Sequence, residues 1–167
     1  IDIDSQALQP ANGVVTPLAG ELASVTNLSE FFVSDLVITG GGVVNLTGAD
    51  FDTLSVSGTS LSVTDSDGLE LGDISLTGTL TVNAVGDVTA ADGADIDVGS
   101  KASFTGANIT LGDDVADELR FGSLQFSSSG SVSITETDSM YLVGDSTADN
   151  ASLYAEGDID VDAAATI

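Results

Sequence analysis

The sequence predicts an all-β fold: a parallel β-solenoid of the right-handed β-helix type, with about three short strands per coil. Three observations carry this reading. Apolar residues alternate with polar ones from residue 33 to the end, Gly and Asp mark the turns between the alternating segments, and the chain repeats itself at a long interval.

The alternation is a series of apolar pairs, each flanking one residue. Leu54/Val56, Leu61/Val63, Leu69/Leu71, Ile74/Leu76, Leu80/Val82, Ile96/Val98, Ala102/Phe104 and Ile109/Leu111 come first. Leu119/Phe121, Leu124/Phe126, Val132/Ile134, Met140/Leu142 and Ile159/Val161 follow. The residue between is usually Ser, Thr, Asp, Glu or Gln. Side chains on a strand alternate between faces, so each pair is one buried face. Gly-Asp recurs at Gly72-Asp73, Gly86-Asp87, Gly112-Asp113, Gly144-Asp145 and Gly157-Asp158, where turns need it. Pro10 and Pro17 are the only prolines, so no proline interrupts the later strands.

The repeat is read by laying Phe51 on Phe121, which sets Leu54 on Leu124 and Val56 on Phe126. With one further residue of shift, Leu61 meets Val132, Val63 meets Ile134, and Thr64-Asp65-Ser66-Asp67 meets Thr135-Glu136-Thr137-Asp138. The copies run near 51–120 and 121–167, the second incomplete. A repeat of about 70 residues divides into three coils of about 23. Residues 33–167 form the solenoid, and 1–32 an irregular leading or capping segment with room for a short helix around Leu18 to Phe31. An unfinished copy and a first residue other than Met read as a fragment of a longer array. An antiparallel β-sandwich is the alternative, but its strands lie further apart and neither Trp nor a Cys pair marks a sandwich core.

Composition narrows the function. Twenty-seven acids against Lys101 and Arg120 give a net charge of −25. Such a surface repels phosphates, so nucleic acid is excluded as a partner, and no apolar run is long enough to insert in a membrane. Without His or Cys, most nucleophilic and zinc chemistry is excluded. Carboxylate pairs remain, Asp95 with Asp97 and Asp158 with Asp160 and Asp162, but they sit on the solvent side of their strands among few basic residues. The expectation is a protein that is not an enzyme.

Two kinds of site stay open. Asp65 and Asp67, in Asp65-Ser66-Asp67-Gly68, and Asp113 and Asp114, near Asp117 and Glu118, have the oxygen density of calcium turns, without the closing Glu of a full calcium loop. Calcium is the one cofactor considered. Asn27, Asn45, Asn108 and Asn150 stand in Asn-x-Ser/Thr and are glycosylation candidates.

The phrasing of Leu76-Thr77-Gly78-Thr79-Leu80-Thr81-Val82, of Ala102 to Leu111 and of Gly130-Ser131-Val132-Ser133-Ile134 resembles the repeats of giant bacterial surface exoproteins, similar to filamentous-haemagglutinin-type β-helix adhesins. That resemblance implies an extracellular or cell-surface location and a structural or adhesive role in a long fibre. The implied partners are further copies of itself and cell-surface or matrix components. The competing expectation is a surface module that binds calcium or glycans, or a subunit of a surface layer or sheath.

Overall fold

The computed structural model describes residues 13–15, 32–39 and 42–167, and among these every regular element is a β-strand. They are β1 (Gly13–Val15), β2 (Phe32–Thr39), β3 (Val43–Gly58), β4 (Ser60–Asp65), β5 (Leu69–Leu76), β6 (Leu80–Ala84) and β7 (Val88–Ala90). The series continues with β8 (Asp95–Gly106), β9 (Ile109–Leu111), β10 (Glu118–Ser128), β11 (Ser131–Glu136), β12 (Met140–Leu142), β13 (Asn150–Ala155) and β14 (Ile159–Val161). All pairings are parallel, and the chain winds as a β-solenoid of about six turns. The antiparallel alternative falls, because every pairing is parallel and joins residues one coil apart, even where consecutive strands such as β2 and β3 pair. The segment at 1–32 lies outside the described residues except for β1, which pairs with β2, and Phe32, which opens β2.

Three faces stack along the axis. On the first, Ile38 lies under Val56, then Ile74, Ile96 and Leu119. On the second, Val44, Leu61, Leu80, Ala102 and Leu124 are in register, beside Leu46, Val63, Val82, Phe104 and Phe126. On the third, Leu69, Val88, Ile109, Val132 and Ala151 stack. Their inward side chains merge into one apolar column from Leu36 to Leu142, with the Phe104 and Phe121 rings edge to face at 5.6 Å. Each buried Val, Leu, Ile or Phe contributes about 1.5–3 kcal/mol, whereas exposed charge pairs contribute under about 1 kcal/mol each. That difference lets a core of this kind hold a chain of net charge −25.

The coil is not of constant length. Stacked partners are 17 residues apart at Thr53 and Glu70 but 23 apart at Asn108 and Ser131. The sequence repeat is consequently out of phase with the winding: Leu61 belongs to the second face, while its match Val132 belongs to the third. The long repeat thus spans three coils plus one further face, not three coils of about 23. Nor is every corner a turn. Strands β3, β5, β8 and β10 run through a corner as continuous strands, with a register shift between Phe121 and Ser123. Glycines occupy the corner between the first and second faces because rungs touch there. A Cβ on Gly99 would stand 2.8 Å from the Thr77 carbonyl oxygen, and one on Gly122 would stand 2.8 Å from that of Gly99.

Candidate functional site on the outer face

The outward residues of the first face line a groove of about 440 Å³. Register sets its composition. Thr39, Ser57, Ser75, Asp97 and Arg120 follow one another up the axis as one row. Beside that row run Val37 and Ser55 and, nearer Arg120, Asp73, Asp95 and Glu118. The Asp73 carboxylate accepts the Asp95 N–H at 3.1 Å, tying two rungs together. Arg120 donates to Glu118 at 2.7 Å. Its guanidinium is held above its ordinary pKa, first by that hydrogen bond and further by the charges of Glu118, Asp95 and Asp138. The groove therefore grades from hydroxyls at one end to carboxylates and a guanidinium at the other. Such a lining donates to and accepts from polyols. Asp95 and Asp97, the first carboxylate pair picked out from sequence, lie in it, both exposed.

The second carboxylate set is in the last coil. Asp158 and Asp160 are exposed, while Asp162 accepts the Ala164 N–H at 2.8 Å and the Tyr141 hydroxyl at 2.8 Å. The Ala164 N–H, then the Tyr141 hydroxyl, hold the Asp162 carboxyl below its usual range, and the same contact raises Tyr141. Asp162 thus closes the last turn.

The calcium candidates are dispersed. Asp65 points into the core, 1% exposed, with Oδ1 accepting the Asp67 N–H at 3.0 Å; Asp67 is exposed. Asp113 is exposed, and Asp114 Oδ1 accepts the Ala116 N–H at 2.8 Å. The organiser of that turn is Asp117, which is buried. Its Oδ1 accepts the N–H groups of Gly93 and Ala94 from the coil below, and its Oδ2 accepts that of Asp114. Among the described residues no group of three or more acids is disposed to hold a metal ion.

Of the glycosylation candidates, Asn27 lies outside the described residues, Asn45 is half-buried on β3, and Asn150 is exposed on β13. Asn108 is exposed, but its amide is engaged on both sides: Nδ2 donates to Asp87 at 2.9 Å and Oδ1 accepts the Ser131 N–H at 3.0 Å. It joins three consecutive rungs.

Sequence reasoning missed Glu136. It extends the inward alternation of Val132 and Ile134 and is fully buried. Oε2 accepts the Phe121 N–H at 3.3 Å, at the register shift of β10, and Oε1 has no partner. Burial pushes its carboxyl up to about 8; the Phe121 N–H opposes this and the Asp138 charge adds to it. The signal was present, since Glu136 matches Asp65 in the repeat and both stand two residues beyond the last apolar residue of a strand.

Residues 58–118 are similar to a family described as repeats of unknown function (DUF5649). The matched stretch is less than half the chain and takes in the rungs of Leu61, Leu80 and Ala102 on the second face. Comparison with curated proteins and with solved structures gives no match.

Proposed function

We propose that this chain is a non-catalytic structural or adhesive segment of a large extracellular or cell-surface fibre protein. One observation carries the reading. The apolar column and its three parallel ladders continue from rung to rung through the described solenoid, and most of the described acids lie outside it, with Asp65, Asp117 and Glu136 the buried exceptions. Such a stack is quasi-one-dimensional: it holds its ends apart and presents a long solvated flank. Antibody against the chain should label intact source cells, and protease shaving of those cells should remove the label. Labelling only after permeabilisation overturns the proposal.

The groove favours a second reading, a glycan-binding surface module, because hydroxyls, carboxylates and a guanidinium line one concavity. Titration of neutral and amino-bearing oligosaccharides, followed by nuclear magnetic resonance, should move the amides of Ser57, Ser75 and Asp97. Uniform indifference across these sugars removes this reading and leaves the first intact.

A further inference from the structure

We propose that the outer groove of the first face holds a chain of amino sugars along the rod axis, with the ammonium groups on Asp73, Asp95 and Asp97. The inference rests on the glycan reading of that groove and goes further by naming the class of sugar.

The first argument is where the acids stand. Along one column of the groove Asp73, Asp95 and Glu118 occupy successive rungs, and Asp97 lies beside Asp95 on the same outward side. Rungs are about 4.8 Å apart, so these carboxylates repel one another. The other two faces do not stack acids in this way. The central outward rank of the second face is Asn45, Ser62, Thr81, Ser103 and Gln125, without an acid. That of the third face is Glu70, Thr89, Thr110, Ser133 and Ser152, and its one acid accepts the Thr53 hydroxyl.

The second argument is that the chain does not itself neutralise these charges. Arg120, in register with Asp97, is the one basic residue among the described residues that line the groove, and it donates to Glu118 at 2.7 Å. Asp73 gives one oxygen to the Asp95 N–H at 3.1 Å. Asp73, Asp95 and Asp97 are all exposed. Three carboxylates in one concavity of about 440 Å³ attract a ligand that carries ammonium groups.

Shape and the rest of the lining choose among amines. The groove follows the axis through five rungs, a length of about 19 Å at the rung spacing. An extended chain of equatorially linked hexoses advances by little more than one rung per sugar, so each sugar meets a new set of outward side chains. Thr39, Ser55, Ser57 and Ser75 donate to and accept from its hydroxyls. A basic peptide would gain most from apolar or aromatic anchors. None of the large apolar side chains exposed among the described residues lines the groove. A polymer with both hydroxyls and amines uses the whole lining.

Nuclear magnetic resonance titration of the full chain at about 0.15 M salt tests this with three probes: a glucosamine tetramer, its N-acetylated counterpart, and spermine, an amine without hydroxyls. The free-amine tetramer is expected to bind about tenfold or more tighter than the N-acetylated one, moving the amides of Ser75, Asp95 and Asp97. Asp95→Asn with Asp97→Asn should weaken it by about tenfold. Asp158→Asn with Asp160→Asn, the same loss of charge on exposed acids of the last coil, should leave it within about twofold. Arg120→Gln removes the competing cation and should tighten binding by about threefold. Ser57→Ala with Ser75→Ala should weaken the tetramer by about threefold and leave spermine unchanged. Circular dichroism checks that each variant keeps its fold. Equal losses from the two acid pairs would reduce the effect to general attraction by a chain of net charge −25 and overturn the proposal. A tetramer indifferent to the serine changes would overturn it too, by showing a site that reads amines and not sugars. Equal binding of the two tetramers overturns the amino-sugar inference and leaves the glycan reading standing, whereas indifference to every sugar removes both.

Discussion

The middle of the rod and its last rung carry the same pattern with opposite results. Leu80 and Val82 are sealed, stacked on Leu61 and Val63 below and on Ala102 and Phe104 above. Ile159 and Val161 obey the same alternation, yet nearly half of each side chain is exposed, at 44% and 48%. Alternation decides which way a side chain points, but burial requires a coil on both sides. In a solenoid the worth of an inward residue therefore depends on its distance from an end.

Leu80→Asp and Ile159→Asp put that difference to the largest test. The first places a carboxylate inside a stacked apolar column and should cost more than about 4 kcal/mol, enough to unfold the solenoid. The second leaves the new charge in water and should cost under about 1 kcal/mol. Thr81→Asp, one position from Leu80 and facing out, should also be mild. Urea denaturation followed by circular dichroism measures all three. Similar losses for Leu80→Asp and Ile159→Asp would mean that the end is covered or that the column is not the source of stability.

Much of this architecture was legible in the sequence, because period-two alternation has one physical cause. The pairs from Leu54/Val56 to Met140/Leu142 all face inward and are buried. The length of each coil was less legible, since the chain takes up extra residues at corners without disturbing the pairs. That is why a regular sequence repeat gave too regular a coil. The polar interior was legible only in outline. Asp65 and Glu136 occupy one position of the repeat and both are buried, but their carboxylates sit differently. The shorter Asp65 accepts the N–H of Asp67 in its own turn, whereas Glu136 reaches across to Phe121. One methylene separates a turn cap from a core carboxyl, and no pattern of apolar residues records it. Of the candidate groove only the Asp95 and Asp97 pair was legible, because the groove joins residues from five rungs whose register only the fold supplies.

Glu136 gives the next effect in size. An acid whose folded pKa lies above its unfolded one holds its proton more tightly when folded. Stability should fall as pH rises from the ordinary carboxyl value of 4.5 through about 8. Glu136→Gln removes that titration while keeping an acceptor for the Phe121 N–H. The variant should match the parent near pH 5 and exceed it by about 1–3 kcal/mol near pH 8. The window above about pH 6 lies beyond ordinary carboxyl titration, and the chain has no His to confuse it. Parallel pH profiles for the two proteins would show that Glu136 is not held in the apolar interior.

Away from the core, rungs are joined by single polar side chains, and these should matter less. Asn108→Ala removes the donor to Asp87 and the acceptor for Ser131 at an exposed position, for an expected loss of about 1 kcal/mol. The matching change at Asn150, near the open end on β13, should lie within about 0.5 kcal/mol of the parent. Equal losses would place the axial hydrogen bonds of Asn108 below their expected weight and weaken the distinction between middle and end.

The smallest effect separates screening from calcium binding. Stability should rise with sodium chloride, because the acids lie closer together than a Debye length of about 8 Å on a narrow rod. Calcium coordinates six to eight oxygens, yet the candidate carboxylates have oxygens already committed to backbone N–H groups. Asp65 holds Asp67, Asp114 holds Ala116, and Asp117 holds Gly93, Ala94 and Asp114. A bound ion would have to displace these bonds or use the exposed Asp67 and Asp113 with water. Calcium chloride should therefore raise the melting temperature by little more than sodium chloride at matched ionic strength, about a degree. Asp65→Asn with Asp67→Asn should leave that small excess unchanged. A saturating rise at micromolar to millimolar calcium, abolished by the double change, would show that the turn opens to take the ion. The cost of releasing the Asp67 N–H would then be part of its affinity.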